Sequence, residues 1–495
     1  EITRLQGSIN MGTAIKTTTL PQAAGATAAL GGTGAINGGD INGNPPMLMK
    51  AASTLSNDEN STSLAQINEE LYRLLENTET LNVEITEGLL RGFKVPDSGV
   101  SIALSRRDVV YPARILIIVL SEMWRFGLTK QSENFLAQVL ITIQKVVTTL
   151  KGSDLIPSGA FWLANVRELY SFVLFARQSI LTEENFKNDM NVDEYNEYVS
   201  LVTELKEDFE SLSYNIYNIW LKKLQKELQK KAIPAIVMSE SLPGFSAGES
   251  GSFLNKFFNS NDGYTMDDIL TFFNSIYWCM RSFHIENEVF RSVVTTLLNY
   301  IDSICFNDLI MRRNFLSWKR GLQLNYNITR LEEWCKSHEL PDGADCLKHM
   351  IQTSKLLQLR KYTIEDINIL RGICSDLSSA QLQKLITQSH VADYESPIPE
   401  EILKYVADLV KQESAAASAA AQAAANDPNN KDETSKVGLK NDIFLHTPNG
   451  PFDDPFVQIP TREFDQVEAY IPVWLNLPNT KRIVDLVAQN VNVME

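Results

Sequence analysis

No stretch of this chain approaches the ~20 consecutive apolar residues that a membrane-spanning helix needs. The longest apolar run, Ile115 to Leu120, is too short to span and reads as buried helix. Cysteine is scarce: there are five, an odd number with no CxxC pair, which fits a reduced intracellular compartment. Positive charge is in deficit, with 45 Lys and Arg against 61 Asp and Glu and a formal net charge of -16. That balance argues against nonspecific nucleic-acid binding, which needs a broad basic footprint. Catalytic signatures are missing as well. There is no HExxH and no GxxxxGK[ST], the GxSxG spacing at Gly244 to Gly248 falls in a Pro- and Gly-rich loop rather than between a strand and a helix, and with five histidines nothing points to a nucleophile–base pair. The nearest approach to a phosphate loop, Gly32-Thr33-Gly34-Ala35-Ile36-Asn37, ends in Asn where a third Gly belongs, and no strand precedes it. No cofactor is expected. The chain opens on Glu1 without a signal peptide, so it reads as a fragment.

What the chain has is helix-forming pattern. Its 495 residues are 44% hydrophobic and 9% aromatic, enough for a sizeable core that should divide into at least two subdomains. Residues 1–63 are rich in Gly, Ala, Thr, Asn and Ser and are expected to form a flexible linker. Order is expected from Ser63, which with Gln66 makes a capping box ahead of Leu64, Ile67, Leu71, Leu74 and Leu75. Further helical patterns over about 79–92, 106–126, 130–150 and 160–181 make residues 64–192 a helical subdomain.

The longest element, 193–232, is predicted as one connecting helix. Val202, Leu205, Phe209, Leu212, Ile216 and Ile219 step by three and four as a heptad seam. Acidic residues crowd its start and lysines its end, as the helix macrodipole favours. At 1.5 Å per residue it would span about 60 Å, long enough to tie two bundles together. Beside the seam lie Asp208, Ser211, Asn215 and Asn218, of which Asn and Ser are poorer helix formers than Ala by roughly 0.5 kcal/mol each. They read either as ordinary solvated positions or as a binding edge.

Residues 233–412 are expected to form the second helical subdomain. Thr265, Thr363 with Asp366, and Ser378 with Gln381 supply helix starts. Phe290, Val293, Val294, Leu297, Ile301 and Ile304 mark one buried stripe. Then Arg312, Arg313, Lys319, Arg320 and Arg330 fall close together among Trp318, Leu322 and Tyr326. In so acidic a chain this reads as a docking surface, although single Lys and Arg residues are common on solvated helix faces. Cys335-x-x-His338 and Cys346-x-x-His349 place two Cys and two His at i,i+3 spacing, types zinc accepts, but the spacing is not that of a finger and each position suits a helix face; no metal is assigned. Residues 413–440, Ala-rich and without an apolar stripe, are expected to be a frayed helix passing into a disordered insertion. Residues 441–495 carry Phe452, Phe456, Phe464, Tyr470 and Trp474 among prolines. Such a segment is expected to lie extended along its own protein and to end in a helix capped by Asn479.

The stretch SWKRGLQLNYNITRLEEW, with Ser317-Trp318, Gly321, Gln323, Tyr326-Asn327 and Leu331-Glu332-Glu333-Trp334, resembles the signature of the dilute domain. That domain is the cargo-binding globular tail of class V myosins. LLRGFKVP at Leu89–Pro96 and FWLANVREL at Phe161–Leu169 are similar to segments of the same tail, and the resemblance covers roughly Leu64 to Glu495, nearest to fungal members. It implies an all-α fold of two packed helical bundles joined by a long helix, with the C-terminal segment returning onto the first subdomain. It implies cargo binding without enzymatic activity, in the cytoplasm along actin cables and at vesicle and organelle surfaces. By resemblance to yeast tails, Asp208, Leu212, Asn215 and Asn218 would dock organelle adaptors for vacuole or mitochondria. Arg313, Leu322, Tyr326, Lys355 and Gln358 would bind Rab GTPases on secretory vesicles. Dimerisation would come only from a coiled coil upstream, and neither nucleic acid nor direct membrane insertion is implied. The competing readings are an all-α GTPase-activating domain with an arginine finger and a vesicle-tethering rod.

Overall fold

The computed structural model describes residues 59–98, 104–182, 191–239, 242, 263–390, 396–425, 443–456 and 470–494. The linker expected over 1–63 and its near phosphate loop lie almost wholly outside them. Among the described residues there are helices and no strands, and no helix is long and apolar enough to cross a membrane.

The first bundle begins with α1 (Glu59–Glu76), one turn earlier than the Ser63 signal placed it, so Ser63 lies within the helix rather than at its cap. Next come α2 (Thr78–Val83), continued by a π-helical turn over Glu84–Arg91, the single turn α3 (Arg106–Val109), α4 (Tyr111–Arg125), α5 (Thr129–Thr149) and α6 (Leu155–Thr182). Asn165, fully buried on α6, holds the break between α3 and α4. Its Oδ1 accepts from Ala113 N at 3.1 Å and its Nδ2 donates to Val109 O at 3.1 Å. The chain is broken there by Pro112, which cannot carry the helical hydrogen bond through.

The connecting helix α7 runs from Val192 to Ala232 and closes with π-helical turns over Ile233–Met238. Asn191 caps its start, its Oδ1 accepting from Asp193 N at 2.7 Å and Glu194 N at 3.3 Å. The seam residues Val202, Leu205, Phe209, Leu212 and Ile216 are buried, as are Tyr217, Trp220, Leu221 and Leu224 beside them. α7 packs on α5 and α6 in the first bundle and on α9 of the second, so the heptad pattern serves packing within the chain. α6 and α7 approach closely at Gly159, where a Cβ would stand 2.2 Å from the Trp220 ring, and Trp220 Nε1 donates to Leu155 O at 3.0 Å.

The second bundle holds α8 (Met266–Ser282), α9 (Asn287–Met311), α10 (Trp318–Ser337), α11 (Lys348–Gln358), α12 (Ile364–Ile373), α13 (Ser379–Thr387) and α14 (Glu400–Ala425). Capping boxes form at Thr265/Asp268, Thr363/Asp366 and Ser378/Gln381, where the sequence predicts them. The stripe Phe290, Val293, Val294, Leu297, Ile301 and Ile304 is buried in α9. α14 continues to Ala425, into the Ala-rich stretch; 426–442 lie outside the described residues.

The C-terminal segment straps both bundles. Asn307 of α9 pairs with the Leu445 backbone in both directions, at 2.7 and 2.8 Å, and Gln225 of α7 donates to Pro448 O at 3.0 Å. Farther on, Trp474 packs edge-on against Tyr111, with the Lys94 ammonium 4.9 Å from its ring centroid. The last helix, α15 (Pro478–Met494), then lies on α1 and α4. Its cap is Glu84 rather than Asn479. The carboxylate accepts from Asn479 N and Nδ2 and from Thr480 N and Oγ1, at 2.7–3.0 Å.

Candidate functional site

The signature stretch separates by helix face. Toward the core, α10 presents polar side chains to the end of α7. The Arg320 guanidinium, nearly buried, donates to Val237 O and Met238 O at 3.3 Å each and stacks over Phe315 at 4.5 Å. Asn327 Nδ2 donates to Ile236 O at 3.0 Å, and Gln323 Oε1 accepts from Leu242 N at 3.1 Å. The carbonyls that end a helix have no intrahelical partner, and these side chains supply donors for them. Trp334, also buried, donates from Nε1 to Asn274 Oδ1 at 2.7 Å.

This corrects the reading of one basic patch. Arg320 faces inward, Arg312 is paired bidentately with Asp308 at 2.5 and 3.0 Å, and Arg330 is paired with Asp267 at 2.5 Å. Arg312, at the end of α9, and Arg320 and Arg330, ten residues apart on α10, each turn to the core or to an acidic partner, so the cluster in sequence is not a cluster of open cations in space.

The residues assigned to Rab binding take the outward positions. Arg313 and Lys355 are exposed; Leu322, Tyr326 and Gln358 are half-buried. Leu322 and Tyr326 are one turn apart on α10, and Lys355 and Gln358 nearly one turn apart on α11. Gly321 brings the two helices together. A Cβ there would stand 2.8 Å from Leu357 Cβ and 3.1 Å from Ser354 O. Across this close approach Gln358 Nε2 donates to Gly321 O at 3.3 Å and Ser354 O at 3.0 Å, which ties the Gln358 side chain to the α10 backbone at Gly321. Of the five, Leu322, Tyr326 and Gln358 come from the two helices that meet at Gly321, Lys355 from the same end of α11 as Gln358, and Arg313 from the short turn before α10.

The adaptor residues on α7 are placed differently. Asp208 and Asn215 are half-exposed, but Leu212 is 4% and Asn218 9% exposed. Asn218 Oδ1 accepts from Phe452 N at 3.0 Å and its Nδ2 donates to Tyr214 O at 2.9 Å. Half of the assigned set therefore contributes to packing in this structure, and the C-terminal strap lies against it. Sequence reasoning missed the strap's part here; its aromatic content was the one available signal.

The Cys/His quartet does not converge. His338 stacks on Trp334 at 4.3 Å, while His349 Nδ1 lies 2.6 Å from Asp302 Oδ2. Burial pushes the Cys335 thiol up to about 12 and the Cys346 thiol to about 11, away from the thiolate that a metal binds. Among the described residues no three His, Cys, Asp or Glu side chains group as a metal site would require.

A DIL domain model matches residues 292–393, the span that holds the Gly321 junction and both of its helices. The chain is 76% identical over 434 residues to Myosin-2A of Naumovozyma castellii, covering 88% of this chain and 26% of that protein. It is 68% identical over 507 residues to Myosin-2 of Saccharomyces cerevisiae, covering 99% of this chain and 31% of that one. Thus the chain spans less than a third of the length of these relatives. A solved structure described as the myosin V cargo binding domain superposes with a TM-score of 0.76 at 72% identity, covering 86% of this chain and 99% of its own. Structures of Myo2-GTD in complex with Inp2, Mmr1 and Smy1 superpose with TM-scores of 0.76–0.77 at 71–72% identity, covering 86–87% of this chain and 99% of each.

Proposed function

From a chain that belongs to the class V myosin cargo-binding domain family, we propose a tail that couples an actin-based motor to its cargo through two separate docks. It acts in the cytoplasm, at vesicle and organelle surfaces, by recognition and without catalysis. Proteins of the kind found in complex with Myo2-GTD, namely Inp2, Mmr1 and Smy1, are its partners. One dock is the α7 edge around Asp208 and Asn215, with Leu212 and Asn218 behind it, for organelle adaptors. The other is the Gly321 junction, where Arg313, Leu322, Tyr326, Lys355 and Gln358 take up Rab GTPases on secretory vesicles.

The observation that carries the second dock is the sorting of faces on α10. Arg320, Gln323, Asn327 and Trp334 are buried, whereas Leu322 and Tyr326 are only half-buried and Lys355, on the helix that meets α10 at Gly321, is exposed. An apolar anchor flanked by positive charge suits an acidic-rimmed partner, with charge steering the encounter. The test is a pair of substitutions. Tyr326→Arg puts a cation in place of that anchor and is expected to weaken Rab binding at least tenfold while adaptor binding persists; Asn215→Asp is expected to do the reverse. Binding measured for each variant against vesicle Rabs and against Inp2, Mmr1 and Smy1 decides. Loss of both activities by either variant, in a still-folded protein, overturns the two-dock reading. GTP hydrolysis by those Rabs is expected to remain unaccelerated.

A further inference from the structure

We propose that the C-terminal strap forms one wall of the adaptor dock, and that Asn218 acts as a positioning residue for that strap rather than as a contact. The proposal rests on the adaptor reading of α7 given above. Its basis is where the strap runs. Pro448 is held by Gln225, Gly450 lies against the Lys222 side chain, Phe452 is held by Asn218 and Tyr214, and Phe456 packs on Tyr217 at 5.7 Å. From Pro448 to Phe452 the α7 partners fall from Gln225 to Tyr214, so this part of the strap lies antiparallel along the helix, and Phe456 then stays beside the same turn. The lengths agree: four extended residues and nine helical ones each cover about 13 Å.

The grip on one residue is tight. Asn218 takes the Phe452 N–H at 3.0 Å, and the Tyr214 hydroxyl donates to the Phe452 carbonyl at 2.9 Å. Both backbone groups of Phe452 are thereby satisfied by side chains one helical turn apart, with the Phe452 ring buried. Asn218 can do this while also donating to Tyr214 O, so its amide is engaged on both ends. One N–H and one lone pair remain, on a side chain that is only 9% exposed. What a partner meets beside the half-exposed Asn215 is the strap, whose Asp453 and Asp454 are exposed just past the gripped Phe452. An adaptor that reads the Asp208–Asn215 edge therefore docks into an angle between helix and strap, and needs the strap seated.

The test uses the whole chain and the proteins Inp2, Mmr1 and Smy1 one at a time. Affinity is measured alongside hydrogen exchange of residues 443–456. Asn215→Asp is expected to weaken one partner without raising exchange in the strap. Tyr214→Phe removes a single hydroxyl from the grip and is expected to raise strap exchange and weaken that same partner by about three- to tenfold. Phe452→Ala should do so more strongly. Asn218→Ala should match Phe452→Ala, and Asn218→Asp, which keeps an acceptor for the Phe452 N–H, should recover part of both strap protection and affinity; a purely direct contact would not link the two readouts. Raised strap exchange with wild-type affinity for the Asn215-sensitive partner overturns the strap proposal alone. If Asn215→Asp weakens none of the three, the adaptor reading fails, and the strap proposal with it.

Discussion

Replacing Glu84 by alanine should release the C-terminal helix while leaving the rest of the protein folded. α15 begins at Pro478, which has no N–H, so its first unpaired backbone donors are those of Asn479 and Thr480. Both go to Glu84, as do the Asn479 amide and the fully buried Thr480 hydroxyl. Loss of a helix cap costs about 0.5–2 kcal/mol, and a buried donor left without an acceptor costs about 1–3 kcal/mol. The two overlap here, because the same donors are counted in each, so about 2–3 kcal/mol is expected. As a local opening that is a factor of roughly 30–150 in the equilibrium between docked and released α15. Glu84→Gln keeps one acceptor oxygen but turns an amide N–H₂ toward the other donors, so it should show much of the same effect. Hydrogen exchange over Pro478–Met494 measures the release, with α6 as an internal reference. An exchange increase below about threefold in Glu84→Ala would refute the reasoning, since the helix would then be held by its apolar face and the Glu70–Arg482 pair alone.

Gly159→Ala should destabilise the α6–α7 contact by about 1–3 kcal/mol, because its new Cβ would collide with a Trp220 ring that is pinned to Leu155 O; thermal unfolding of the variant measures it, and an unchanged melting temperature would show that Trp220 is free to move. On acidification, the starts of α8 and α12 should fray before the bundles unfold. The backbone N–H of Thr265 lowers the Asp268 pKa, and that of Tyr362 lowers the Asp366 pKa. A carboxylate lowered in the folded state stabilises above the ordinary Asp range, and that contribution is lost as pH falls through the lowered folded value. Exchange at both helix starts, followed below the ordinary Asp range, should rise earlier than exchange in α9.

The parts of this fold that could be read from sequence are those whose physics is local. The capping boxes at Thr265, Thr363 and Ser378 close over three residues, and the α9 stripe repeats within a single helix. Glu84 could not be read in the same way, because its donors lie 395 and 396 residues away. Nor could the direction of the signature arginines. Arg320 resembles a solvated helix residue until the free carbonyls at Val237 and Met238 arrive from the end of α7. The resemblance of SWKRGLQLNYN to a known tail identified the fold without saying why those residue types recur. The structure supplies a physical reason: Arg320, Gln323 and Asn327 are donors and acceptors for the backbone that leaves the long helix.

The α7 edge shows where two kinds of reading conflict. Periodicity placed Leu212 in the buried seam, whereas resemblance placed it in a dock, and its 4% exposure agrees with periodicity. From its residue type Asn218 stood out as a poor helix former, and resemblance placed it in the dock; neither reading pointed to a partner inside the chain. That partner lies across the chain. Alanine would have propagated α7 better, but only a side chain with both a donor and an acceptor can bond Tyr214 O and Phe452 N–H together. A helix-unfavourable residue held at a buried position points to a partner backbone, and here that backbone is the strap. The same logic separates Asn215 from Asn218. Asn215 is only half-buried, and the two asparagines, three residues apart, should respond differently when the strap is loosened.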